Sequence, residues 1–214
     1  MTSPVIFNRE KHEYIDSLGF PVPSVTQILA KAGLCDFSFV EDETRRLAMQ
    51  RGTSVHWMLQ LQDEGLLDYR KVPLRLRPYR NAYMDWRIAS GFVPDGIEVQ
   101  FICYLGYAGT IDRTGSFPVT TMYPHGSRAV VDLKTGTGPV QDWVRFQLCL
   151  YGARMHPNLQ VAKTWRRIGL ALHPNGTYHV KEFPVSCWDY DFSVAIEAKR
   201  RVDAGHVDHD RSGN

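Results

Sequence analysis

No run in this chain is apolar over the roughly 18 to 20 residues that a bilayer-spanning helix needs. A membrane-embedded function is therefore not expected. The four cysteines, Cys35, Cys103, Cys149 and Cys187, form no C-x-x-C pair. Metal sites built on thiolates usually show close ligand pairs, so neither a zinc nor an iron–sulfur site is expected. Buried, reduced thiols are the simpler expectation, without a disulfide framework. There is no internal repeat and no long linker. Charge of one sign is not in excess: the formal net charge is +2. A nucleic-acid surface would then have to be a local patch. The opening MTSPVIFNREK has neither the apolar region of a secretory signal nor the Arg/Ser-rich character of a transit peptide. A cytoplasmic location is the resulting expectation.

What is present is 214 residues of ordinary globular composition, enough for one domain with a substantial core. The expected division is a single domain over 1–205, mainly helical over 1–90 and sheet-based over 91–205, with a flexible tail over 206–214. Residues 4–22 contain turn formers and read as a hairpin or extended lead-in. Ser24 before VTQILAKAG is an N-cap signal, and Gly33 is a stop. A longer helix is expected over 40–63, with Gly52 as its weak point, and another over 76–89. From residue 93 β-branched and aromatic residues dominate. Strands are expected near 96–104, 107–114 and 128–134, with 117–123 a further candidate. A helix over 141–155, strands near 163–172 and 177–183, and a helix over 188–204 complete the order. This is an α/β (α+β) pattern with a central mixed sheet flanked by helices.

The segment AVVDLKTG, residues 129–136, combines a core-like strand with an acid and a base. Side chains alternate along a strand, so Asp132 and Lys134 share one face while Val131 and Leu133 take the other. Upstream, GTID places Asp112 late in the preceding strand. Two converging carboxylates repel unless a cation lies between them. A hard divalent ion such as Mg²⁺ takes oxygen ligands and suits that position. Lys134 can then hold the attacking water in metal-assisted phosphodiester hydrolysis. Gly52 and His56 are four apart on one helix face, as are Gln147 and Tyr151. A neutral imidazole at His56 suits Mg²⁺ or, better, Mn²⁺.

In order, Gly52 to His56 in RGTSVH, Gly109 to Asp112 in GTID, Asp132 to Lys134 in VVDLKTG and Gln147 to Tyr151 in QLCLY resemble the PD-(D/E)XK nuclease superfamily, and within it the RecB-like exonucleases. Phage proteins and the mitochondrial genome maintenance exonuclease belong to that branch. The resemblance covers about residues 50–155. It implies a restriction-endonuclease-like core and a Mg²⁺- or Mn²⁺-dependent deoxyribonuclease. Asp112, Asp132, Lys134, Gln147 and Tyr151 would make up the catalytic set, the last two lining the site, on DNA or in support of Lys134. The metal ligands would be His56, Asp112, Asp132 and the Leu133 carbonyl, with Glu98 in IEVQF as a further acid. The implied setting is recombination, replication or repair in a bacterial cell or phage-infected host. The implied partners are DNA ends, single- or double-stranded, and a recombinase or single-strand annealing protein.

The stretch from Tyr69 to Arg87 is basic, with aromatic residues interleaved. Cations can track phosphates while rings stack on bases. Arg75, Arg77, Arg80 and Tyr83, together with Arg113, are the expected DNA contacts; a solvated Arg face over core aromatics is the alternative. Three other functional classes stay open: an endonuclease or structure-specific nuclease, a non-catalytic DNA-binding module, and an iron–sulfur nuclease, which would need a Cys cluster near Cys187. The acidic and histidine-rich HVDHD, with His206, Asp208, His209 and Asp210, resembles a metal-binding patch by composition and reads more simply as tail.

Overall fold

Ser24 starts the first helix as the sequence predicts. Its hydroxyl accepts from the Gln27 N–H, and Gln27 Oε1 accepts from the Ser24 N–H, closing a capping box. In this computed structural model the structure describes residues 6–8, 13–35, 41–119 and 126–205. A small antiparallel sheet comes first: β1 (Ile6–Asn8), β2 (Glu13–Ile15) and β3 (Pro21–Val22). Three helices follow: α1 (Val25–Lys31), α2 (Asp42–Asp63) and α3 (Arg77–Ser90). Helix α2 runs unbroken through Gly52, because its packing outweighs the roughly 1 kcal/mol that a mid-helix Gly costs.

The main sheet then forms from β4 (Val93–Cys103), β5 (Tyr107–Phe117), β6 (Ser127–Thr135), β7 (Arg166–Leu172) and β8 (Tyr178–Phe183), in that spatial order. Only β6 and β7 are parallel; the other neighbours are antiparallel. Helix α4 (Val144–Met155) and the short α5 (Leu159–Ala162) make the crossover between them. Helix α6 (Trp188–Asp203) closes the chain. The chain is thus mixed α/β. The observed β5 extends to Phe117, so the candidate strand over 117–123 begins inside it, and residues 120–125 lie outside the described residues. The tail motif HVDHD does too.

The alternation read in AVVDLKT sorts the two layers. Ala129, Val131 and Leu133 pack with Ile168, Leu170 and Leu172 of β7 against Val55, Met58 and Leu59 of α2 and the aromatics of α3. Val130 faces the other way, into the core made with α1, α4 and α6. Each fully buried Val, Leu or Ile contributes about 1.5–3 kcal/mol, so this strand is anchored through both faces.

The pairing of β5 with β6 stops at Arg113↔Val131, whereas that of β6 with β7 continues to Thr135↔Leu172. Beyond Val131 the Leu133 N–H donates to the carboxylate of Asp112, at 2.6 Å, instead of to the backbone of β5. The two strands part there. The gap between them is where the polar face of β6 opens.

Candidate active site

The gap forms the floor of a cleft of about 1000 Å³. Residues from all four motifs line it: Gly52 and His56, Gly109 and Asp112, Asp132 to Lys134, and Gln147 and Tyr151. Segments far apart in sequence thus converge on one cavity. Glu98 joins them from β4.

His56 stands at the centre. Its Nδ1 lies 3.5 Å from Glu98 Oε1 and 3.5 Å from Asp112 Oδ1, and its Nε2 lies 3.2 Å from the Leu133 carbonyl oxygen. Ligand atoms of His56, Glu98 and Asp112 all lie within 4.8 Å of one another. Burial alone would lower the His56 pKa, but Asp112, Glu98 and Asp132 outweigh it and raise it to about 9. An imidazolium therefore occupies the focus of these acceptors. Burial pushes the Asp112 carboxyl up to about 6; Asp132 and Glu98 add to that, while His56 and Lys134 oppose it. Burial would also raise Glu98, but His56 and Arg113 hold it below its ordinary value.

Asp132 sits apart from that trio and pairs with Lys134, whose Nζ is 2.8 Å from Oδ2 and 3.1 Å from Oδ1. Burial would lower the Lys134 pKa; Asp132 and Asp112 overcome it and raise it. The ammonium also lies 3.5 Å from Gln147 Oε1 and 5.0 Å from the centre of the Trp143 ring. Gln147 Nε2 donates to the Tyr151 hydroxyl at 2.8 Å. Gly109 leaves room for that ring: a Cβ there would meet Tyr151 Cε1 at 3.0 Å and Phe101 Cε1 at 3.1 Å. A smaller cavity of about 180 Å³ adjoins Lys134, lined by Gly136, Gly138 and Trp143.

Glu98 is held under strain. Its φ is 49°, in the left-handed region that costs a residue with a side chain about 1–3 kcal/mol. The ladder pairs Ile97↔Arg113 and Val99↔Ile111 and skips it. Behind it stands Arg113, fully buried, donating to Glu98 Oε1 at 3.1 Å, to the Asp112 carbonyl at 2.5 Å and to Asp63 Oδ2 at 2.6 Å. Asp63 also accepts from Tyr83 and Arg87.

This corrects two expected DNA contacts. Arg113 and Tyr83 are both buried, tied to Asp63, with no surface to offer a phosphate or a base. Tyr79 and Trp86 are likewise core. Arg77 and Arg80 lie over the Tyr69 ring at 4.9 and 5.1 Å, and their Nε atoms donate to the Val72 carbonyl and to Gln62. Arg75 is exposed. None of Arg75, Arg77 and Arg80 is among the cleft-lining residues. The wall beside the floor is instead α2, whose Arg45, Met49, Thr53, Trp57 and Gln60 line it. Sequence reasoning misses this wall and misses Asp63; the available signal was a Trp directly after the candidate ligand His56.

Cys35, Cys103 and Cys149 are buried and Cys187 is half-buried, and Cys35 adds a small share to the raised Lys134 pKa. Among the described residues, no helix is long and apolar enough to cross a membrane. Compared with protein-family models and with curated proteins, the chain matches none.

Proposed function

We propose that this chain is a Mg²⁺- or Mn²⁺-dependent deoxyribonuclease with a restriction-endonuclease-like core, acting on DNA ends in the manner of the RecB-like exonucleases it resembles. One observation carries the proposal: the four motifs, ordered along the sequence, meet in one cleft whose floor holds three carboxylates, an imidazole and a lysine. The donor set fits a hard divalent ion. Carboxylate and carbonyl oxygens converge around a cationic His56, so the pocket already favours positive charge at its centre. Glu98, Asp112, Asp132, the Leu133 carbonyl and His56, the last once the ion displaces its proton, are the groups that would hold the ion. When bound, it supplies Lewis-acid polarisation of a phosphate oxygen.

The chain's own residues do the rest. Lys134 is protonated at neutral pH, so its Nζ donates to a water or a phosphate oxygen and stabilises charge that builds up there. Asp132 and Gln147 fix the direction of that ammonium. Tyr151 fixes Gln147 from the neighbouring turn of α4. Asp112 holds the Leu133 N–H, which sets the main chain so that the Leu133 carbonyl faces the pocket. Arg113 restrains Glu98 from behind.

The test uses end-labelled linear duplex, single strand and closed circle, with Mg²⁺, with Mn²⁺ and with chelator, beside Lys134→Ala. Metal-dependent loss of the linear substrates alone, absent in the variant, is the expected result. Cutting of the circle would make the protein an endonuclease. Cleavage in excess chelator, or by the Lys134→Ala protein, would end the metal–lysine reading.

A further inference from the structure

Helix α2 carries an exposed apolar pair that the fold does not use. Val55, Met58 and Leu59 of this helix are buried against the sheet, yet Trp57 is 63% exposed and Met49 is 67% exposed. A single exposed apolar residue needs no explanation. These two, however, line the same cleft as the carboxylates. With Gly52, Thr53, His56 and Gln60 they form one stripe at helical spacing, leading along the wall to the floor. The small sheet adds Phe7 and Tyr14 to the lining, with ring centres 4.7 Å apart.

The depth of the floor restricts what can reach it. Asp132 is 1% exposed and Asp112 is 8% exposed. A phosphodiester must descend to them. In a paired duplex the bases stack on one another and face the opposite strand, so none is free to lie against a ring on the wall. An unpaired strand frees its bases, and apolar faces along the walls can receive them. Aromatic side chains beside a backbone track are how sequence-tolerant single-strand sites are built. Trp57, adjacent in sequence to His56, is the largest such face on the wall.

We infer that Trp57 is a stacking platform for an unpaired nucleotide of the substrate, so that the cleft takes nucleic acid as a single strand at the point of cleavage. This rests on the cleft being a phosphodiester site, and it goes further by naming the strand state and the residue that selects it. Trp57 acts by contact with a base, next to the metal ligands and not among them.

The test is made in a Lys134→Ala background with Mg²⁺, so that the ligand survives. A short oligothymidylate and a blunt duplex of the same length are titrated while tryptophan emission is followed. Oligothymidylate is expected to quench the emission. Adding Trp57→Ala should remove most of the quench and weaken binding about tenfold or more. Trp57→Phe should restore part of the affinity, and the thermal midpoint should not move, since the ring is exposed. The duplex should bind more weakly and be indifferent to Trp57. Equal oligothymidylate affinity with and without the Trp57 ring would overturn the inference, as would a duplex preference that depends on it. The outcome is separable from the hydrolysis reading. A Trp57-dependent quench without metal-dependent cleavage by the native protein would keep the platform and remove the nuclease. Cleavage of linear DNA with no role for Trp57 in binding would do the reverse.

Discussion

Two kinds of charge cluster flank this sheet, and they are neutralised by different means. In one, Asp191 of α6 is fully buried between Arg167 of β7, at 2.6 Å, and Arg145 of α4, at 2.6 Å. Arg167 also donates to the carbonyl oxygens of Pro184 and Arg145. The Asp63 cluster, with Arg113 and Arg87, follows the same plan. In the other kind, at the cleft floor, Glu98, Asp112 and Asp132 are balanced chiefly by His56 and Lys134, with Arg113 reaching Glu98 from the Asp63 cluster. Guanidinium groups keep their proton under all relevant conditions. Imidazole and ammonium can give theirs up. The Arg-based clusters are permanently compensated and closed. The floor is compensated by groups that can exchange a proton, and it opens to a cleft. Charge type, more than charge burial, separates a brace from a site.

Replacing one acid in each cluster should give opposite results. Asp112→Asn keeps an oxygen for the Leu133 N–H and removes a carboxylate that burial already disfavours. Metal-dependent cleavage should fall by at least about 100-fold. The thermal midpoint of the metal-free protein should hold or rise. Asp191→Ala should instead leave the buried Arg167 guanidinium and the partly exposed Arg145 without their anion and cost about 3–5 kcal/mol, a fall in midpoint of about 10 °C or more. Its activity per folded molecule should be unchanged. A stability loss in the first variant, or an activity loss in folded Asp191→Ala, would erase the distinction.

Proton exchange at the floor predicts a pH dependence that the Arg clusters cannot produce. His56 is raised from 6.5 to about 9, so its contribution is fully present below pH 6.5 and is lost as pH rises to 9. Asp112 is raised from 3.8 to about 6, so the fold favours its protonated form, and that contribution is lost as pH rises through 6. Both act in the same direction. Asp112 acts below about pH 6, so between pH 6.5 and 9 the metal-free protein should lose up to about 3 kcal/mol through His56 alone. His56→Gln should flatten that slope, while Asp191→Ala should leave it as steep. Melting curves across this range, in chelator, decide the matter.

Much of the fold was legible because its signals are local. The Ser24 cap, the alternation in AVVDLKT and the β-rich run after residue 93 each state their structure within a few residues. The candidate site was legible as four motifs for the same reason, since each is a short stretch on one element, and the structure brings them to one cleft. Where reading failed, the deciding fact was a partner far along the chain. Arg113 looks like a free cation until Asp63, fifty residues earlier, is seen against it. Tyr83 looks like a stacking ring until the sheet covers it. The crossover between parallel β6 and β7, and the parting of β5 from β6, depend equally on non-local pairing.

The smallest expected effect concerns the basic stretch, and it sharpens the comparison at the surface. Arg77 and Arg80 are engaged within their own segment, over Tyr69 and on Val72 and Gln62, and they do not line the cleft. Exposed and half-buried contacts of this kind contribute about 0.5–1 kcal/mol each. The Arg77→Ala/Arg80→Ala protein should lose about 2 kcal/mol of stability. Each phosphate contact contributes about 0.7 to the slope of log K against log salt on a single strand. If DNA enters along α2, the double variant should leave that slope within one contact of its starting value. A slope reduced by two contacts would return these arginines to the DNA surface, because stacking on Tyr69 would then be a resting state that phosphate displaces.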